Sequence, residues 1–151
     1  MQAPILTFTV DCPRSENHGP RHWAAKKRQR RALYLAVLVA VQADPRWRAA
    51  VLHPLVDADR RKRRVVFTRG VGMMIIGKRK VPTNTSDRTN FAAGLKRLLD
   101  VLLCDKPRRP GLGFLVDDSP TWLDDAYEQD ATGMVQPGKL LVEIFECEVT
   151  P

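Results

Sequence analysis

The apolar positions change period several times along the chain, and each change marks an element. Residues 5–10 are rich in β-branched and aromatic side chains around Leu6, the signature of a strand. Pro13, Ser15, Asn17, Gly19 and Pro20 make 11–20 a loop. No Pro or Gly interrupts 23–43, where Ala, Leu, Lys and Arg dominate, so this stretch is a helix ended by Pro45. Its first half is basic. Its second half, 32–41, is apolar on nearly every side and is expected to be buried. Trp47, Val51, Leu52 and Leu55 fit a short helix broken at Pro54.

Residues 65–67 and 73–76 read as strands joined through Gly70-Val-Gly72, which suggests a β-hairpin. Pro82 and the Asn, Thr and Ser around it mark 78–86 as a polar loop. Ser86 or Asp87 then caps a helix reaching about Leu103, with Phe91, Leu95, Leu98, Leu99 and Leu102 on one face. Lys96 and Asp100 share its opposite side. Residues 105–111 form a loop, 114–116 are extended, 121–129 are extended, and 139–149 make a final strand. The expected fold class is α/β (α+β): one small domain spanning 1–151, with a mixed β-sheet packed by two main helices.

Composition narrows the picture. A chain of 151 residues buries a core without disulfides, and Cys12, Cys104 and Cys147 match neither a zinc nor a redox spacing. Free or buried thiols in a reducing compartment are expected. The longest apolar run, 32–41, is too short to span a bilayer, and no basic leader precedes the apolar start, so a cytoplasmic protein is expected. His18, His22 and His53 lack ligand spacing, and Gly70-Val-Gly72 lacks the lysine-serine pair of a phosphate loop. Met73, Met74 and the tryptophans Trp23, Trp47 and Trp122 read most simply as core.

Charge changes the picture more. The net charge is +8. Residues 1–110 carry 24 Lys and Arg against 8 Asp and Glu, whereas 111–151 carry one lysine against 9 acids. Dense basic blocks attract polyanions. Phosphate contacts are therefore assigned to Arg21, Lys26, Lys27 and Arg30 in the first block. A second set is Arg63, Arg64, Lys78, Arg79, Lys80 and Arg88.

Acids beside such a basic segment suggest chemistry. Asp87, Asp100, Asp117 and Asp118, with Lys96, would converge as hard oxygen ligands and a cation around Mg²⁺ in a phosphodiester hydrolase. Each has a plainer alternative: Asp87 as a helix cap, Lys96 and Asp100 as a surface pair, Asp117-Asp118 as a turn.

The run Asp87-Arg-Thr-Asn90, the helix bearing Lys96 and Asp100, and Gly113-Phe-Leu-Val-Asp117-Asp118-Ser resemble the RusA-type Holliday junction resolvases. The loop with Pro13, Ser15 and Asn17 and the basic helix after His22-Trp23 are similar to the family's opening. The resemblance implies a Mg²⁺-dependent endodeoxyribonuclease, with Mn²⁺ as a substitute, acting as a homodimer on branched DNA in recombination or repair. It also implies a bacterial or phage origin. Carried over by motif, Asp87, Lys96 and Asp118 are catalytic; Asp87, Asp117 and Asp118 hold metal; Thr89, Asn90 and Asp100 support.

Three departures qualify this expectation. Thr89 stands where the family has its second acid, and a hydroxyl is a poorer Mg²⁺ ligand than a carboxylate. The alternatives are a junction-binding relative that does not cut, or a basic RNA-associated module. The insertion 104–111 lengthens the path from Asp100 to the acidic pair. Asp124-Asp125 also resembles the Asp-Asp segment, and Asp117-Asp118 is preferred because it lies nearer Asp100 and follows Gly113 at a family-like distance.

Overall fold

Alternation builds the sheet. In β6 (Lys139–Glu146), Leu140, Val142 and Ile144 are buried while the residues between them are half-buried on the other face. The computed structural model describes residues 2–13, 22–52, 61–82, 91–92 and 94–147. The sheet order is β1-β6-β2-β5, where β1 is Leu6–Asp11, β2 is Arg63–Gly70 and β5 is Leu123–Asp130. β6 runs antiparallel to β1 and β2, and β2 runs parallel to β5. One face is covered by α1 (Trp23–Gln42) and α3 (Lys96–Leu102), with the short α2 (Trp47–Ala50) between α1 and β2 in the chain. The core joins Leu6, Phe8, Phe67, Leu98, Leu102, Phe114 and Ile144. The mixed α/β class is as expected.

The second helix is interrupted within its apolar stripe. Phe91 and Ala92 are helical, but the chain turns at Leu95 before α3 begins. Its expected cap at Ser86 or Asp87 lies outside the described residues.

Other expectations are corrected. Residues 73–76 do not pair with β2. They form β3 (Met73–Ile76), which pairs with β4 (Arg79–Pro82) in a separate two-stranded sheet. Gly77, at φ 63°, supplies the left-handed turn that a hairpin of this tightness needs. Residues 79–82 are therefore strand and not loop. Met73 and Met74 are 42% and 45% exposed, and Trp23 is 72% exposed, so none is core. The second half of α1 is not buried all round. Only Val37 and Val41 are, because the helix meets the sheet along one stripe; Leu35 and Val39 face outward beside an open groove at edge strand β1.

The sheet has two ends, and they organise the molecule. At the Arg63 end, β2 starts opposite Leu123 and Glu146. At the Gly70 end, Gly70 lies opposite Asp130, and β1 finishes with Asp11 opposite Lys139. A Cβ on Gly70 would overlap the carbonyl oxygen of Gln136, so only glycine lets the 135–136 backbone close this end.

Arg63 locks the other end. Its side chain is 1% exposed. Nη1 donates to the carbonyls of Ala50 and Phe114, the latter at 2.8 Å, and Nη2 sits 3.3 Å from Glu146 Oε1. Arg61 reaches the same oxygen at 2.7 Å. Burial pushes the Arg63 pKa down, and Glu146 partly offsets that. Nearby, Asp44 joins the exit of α1 to β1. Its carboxylate accepts from Thr7 N at 3.1 Å, from Arg46 N and Nε at 2.9 Å each, and from Arg46 Nη2 at 2.6 Å. The hydrogen bonds from Arg46 hold the Asp44 carboxyl far below the usual carboxylate range.

Two outcomes are expected. Arg63→Ala, leaving two carbonyls and Glu146 without their partner, lowers unfolding free energy in urea by ~3 kcal/mol. Arg63→Lys recovers only part, because an ammonium lacks the planar fork. Asp44 has a folded pKa below its unfolded one, so its stabilisation is complete above the unfolded value of about 4 and is lost as pH falls through the folded value. Asp44→Asn therefore lowers the urea midpoint at neutral pH, and its gap to wild type narrows as the titration is carried below about pH 4.

Candidate nucleic-acid interface

The expected phosphate-binding residues separate by place. Lys26, Lys27, Arg28, Arg30 and Arg31 occupy the first half of α1, and every one is exposed. His22 starts this helix by accepting from Ala24 N through Nδ1 at 3.3 Å, and its ring stacks on Trp23 at 6.0 Å between centroids. Gln29 Oε1 accepts from Arg97 Nη1 at 2.9 Å, which sets the basic half of α1 beside the start of α3. Lys96, exposed, opens α3 there.

The helical turn at Phe91, ahead of α3, lies at the Gly70 end. The Arg69 guanidinium sits 4.4 Å over the Phe91 ring. Phe91 meets Tyr127 edge-on at 5.7 Å, and Tyr127 stacks on Phe67 at 5.5 Å. The hairpin β3–β4, with exposed Lys78, Arg79 and Lys80, leaves β2 at the same end. Among the described residues, none of Lys26, Lys27, Arg28, Arg30, Arg31, Lys78, Arg79, Lys80 or Lys96 has a carboxylate within ion-pair distance.

Several cations toward the Arg63 end are engaged, although Arg48 and Lys62 there are exposed with no carboxylate within ion-pair distance among the described residues. Arg46 pairs with Asp44, Arg61 and Arg63 with Glu146, and Arg109 with Asp100 at 3.5 Å. Arg63 is thereby removed from the expected DNA contacts: a guanidinium bound to buried carbonyls cannot reach a phosphate. Arg64 faces the side of the sheet opposite the helices, 3.8 Å from Asp124. Arg21 and Arg88 lie outside the described residues.

The acids are spread along the molecule. Asp87, Thr89 and Asn90 lie outside the described residues. Asp100 is tied to Arg109 of the inserted loop, not to Lys96. Asp117 and Asp118 follow the segment in which Phe114 and Leu115 bond to the last turn of α3. Asp117 Oδ1 accepts from Asp118 N at 3.0 Å, the turn anticipated as the plain alternative. Lys96, at the first turn of α3, is separated from its last turn by about 10 Å of helix rise. Asp124 and Asp125 alternate faces of β5. Asp125 shares the face of Tyr127 and accepts its hydroxyl, so it is one side chain removed from Phe91.

Among the described residues no three acidic, His or Cys side chains gather as a cation cage. The described residues therefore supply at most a pair of carboxylates at any one place, the number that suits Mg²⁺ held also by waters and substrate phosphates. Burial pushes Cys12, Cys104 and Cys147 all upward, and Cys104 donates to Leu115 O at 3.1 Å. No helix among the described residues is long and apolar enough to cross a membrane.

Sequence reasoning overlooked two features. Asp125 is coupled to the start of the second helix through Tyr127, which only the register of β5 reveals. The other is the exposed apolar strand Met73–Ile76; its lack of any polar alternation beside three cations was the available signal.

No family model, curated protein or solved structure matches this chain.

The segregation of cations has a measurable consequence. Removing one phosphate-binding cation lowers the slope of log affinity against log salt by about 1. Lys26→Ala/Lys27→Ala/Arg30→Ala is expected to lower that slope by about 3 for any duplex, whereas Arg64→Ala lowers it by less than about 1, in salt titrations read by fluorescence anisotropy.

Proposed function

We propose that this chain is a structure-selective endodeoxyribonuclease of RusA type, which grips branched DNA at the Gly70 end of its sheet and hydrolyses phosphodiesters with Mg²⁺. The observation that carries the reading is the crowding there of exposed cations with no carboxylate partner among the described residues: the first half of α1, the hairpin turn and Lys96. Solvated surface cations repel one another, so gathering them at one end costs stability unless a polyanion supplies the countercharge. Contacts to phosphate give affinity without reading sequence, which suits recognition of a branch by shape.

In this reading Asp87 and an acid from Asp117-Asp118 hold the metal, and Mn²⁺ can replace Mg²⁺. The ion would supply a hydroxide-like nucleophile and charge stabilisation at the scissile phosphate. Lys96 holds the phosphate, while Asn90, Thr89 and Asp100 support the site. The Tyr127 contact makes Asp125 a competitor of Asp118 for the second acid. The protein acts in the cytoplasm of a bacterium, or of one infected by the phage that encodes it, in recombination or repair. It works as a homodimer, so that two strands are cut symmetrically.

A second reading is a junction binder without chemistry. It is favoured by Thr89 in the place of an acid and by the dispersal of the described carboxylates. An RNA-associated module is the third, separable by competition between branched DNA and structured RNA.

The deciding test incubates a labelled four-way junction and a linear duplex with Mg²⁺, Mn²⁺ or EDTA. Paired, metal-dependent cuts on the junction are expected. Asp87→Asn should reduce them about 100-fold, the scale on which one electrostatic interaction at the reacting group acts. Of Asp118→Asn and Asp125→Asn, the one with the same effect identifies the second acid. Tight junction binding with no cutting in either metal would establish the second reading.

A further inference from the structure

A solitary two-stranded hairpin is marginal in water, and its apolar side chains normally face a partner layer. β3–β4 does not follow that rule. Met73, Met74, Ile75 and Ile76 are all exposed, the isoleucines by 71% and 62%. None of residues 73–81 belongs to the buried core. Cross-strand register pairs Ile75 with Lys80 and Ile76 with Arg79. Partners directly opposite share a face, so each face of the ribbon carries one isoleucine beside one cation. Lys78 adds a third cation in the turn.

That arrangement has a charge requirement and an apolar one. Two copies meeting symmetrically through the tip would bring two Lys78-Arg79-Lys80 triplets together, which is repulsive. A nucleic acid satisfies both needs, because its phosphates surround an apolar stack of bases. A two-stranded ribbon, about 5 Å between strands, also fits a nucleic-acid groove. Isoleucine and methionine have no donors with which to read base edges, but such side chains are the ones that wedge between base steps and unstack them.

We infer that the β3–β4 hairpin is an unstacking wedge: Ile75 and Ile76 enter an opened base step at a branch point while Lys78, Arg79 and Lys80 hold the flanking phosphates. The inference rests on the reading that the partner is branched nucleic acid, but not on cleavage. A branch point offers bases already weakly stacked, so insertion costs least there. The wedge therefore gives selectivity for structure over sequence.

The test uses the full chain in EDTA with a four-way DNA junction carrying 2-aminopurine beside the branch, and a control carrying it within one arm. Binding is followed by anisotropy and unstacking by 2-aminopurine fluorescence. Wild type should raise the fluorescence at the branch and not in the arm. Ile75→Ser/Ile76→Ser, at exposed positions, should bind within about threefold of wild type, since phosphate contacts supply most affinity, yet leave the fluorescence flat. Lys78→Ala/Arg79→Ala/Lys80→Ala should lower the salt slope by about 3. Wild-type binding with flat fluorescence, or a full rise with the isoleucine variant, overturns the wedge and leaves the DNA-binding reading intact. If Ile75→Ser/Ile76→Ser instead converts a dimer to a monomer in sedimentation, the ribbon is an interface between copies and the wedge is wrong. If wild type binds no junction at all, the DNA-binding reading fails and the wedge fails with it.

Discussion

A buried guanidinium holds one end of this fold. Arg63 reaches three stretches at once: the end of α2 through Ala50, the segment after α3 through Phe114, and β6 through Glu146, and the first two are also joined by the bond from Leu52 N to Gly113 O. Arginine suits the task because its rigid fork reaches several acceptors at once and stays charged despite burial. The position of α3 follows from it. The segment fixed at Phe114 bonds to the last turn of that helix, so the helix runs from that end back along the sheet.

The two ends consequently differ in chemistry. Near Arg63, Arg46, Arg61 and Arg63 meet carboxylates or buried carbonyls, while Arg48 and Lys62 stay exposed; at the other end Lys139 pairs with Asp11. Near Gly70 the cations project from α1, the hairpin and α3 with no such partners among the described residues. The aromatic series Phe67, Tyr127, Phe91, capped by the Arg69 guanidinium, carries the start of the second helix against the sheet at that end.

Much of this was legible in the sequence, where local pattern controls the outcome. β1 and β6 follow their alternation, and α1 runs uninterrupted because nothing in it breaks a helix. What escaped depends on tertiary neighbours. Arg63 reads like its neighbours Arg61 and Arg64, and only the convergence of Ala50, Phe114 and Glu146 makes it interior. The apolar half of α1 suggested burial on all sides, yet the sheet covers one stripe and leaves Leu35 and Val39 outward. The hairpin was assigned one strand too early, because glycines at 70 and 72 look like a turn. Gly70 is needed instead for close backbone approach to Gln136. The proposed catalytic acids were chosen by motif, and motif spacing does not show that Asp117 and Asp118 follow the segment bonded to the last turn of α3.

The first half of α1 has a further consequence. Lys26 and Arg30, and likewise Lys27 and Arg31, are one turn apart, where like charges destabilise a helix. No acid stands in its first turn to balance the macrodipole, whose positive pole lies there. Its second half is anchored by Val37 and Val41, so the helix is firm at one end and electrostatically strained at the other. An anion bound along the basic turns relieves that strain, so amide protons there should exchange more slowly in its presence while those of the anchored half barely change. Rigidity in this element is therefore partly borrowed from whatever polyanion it meets.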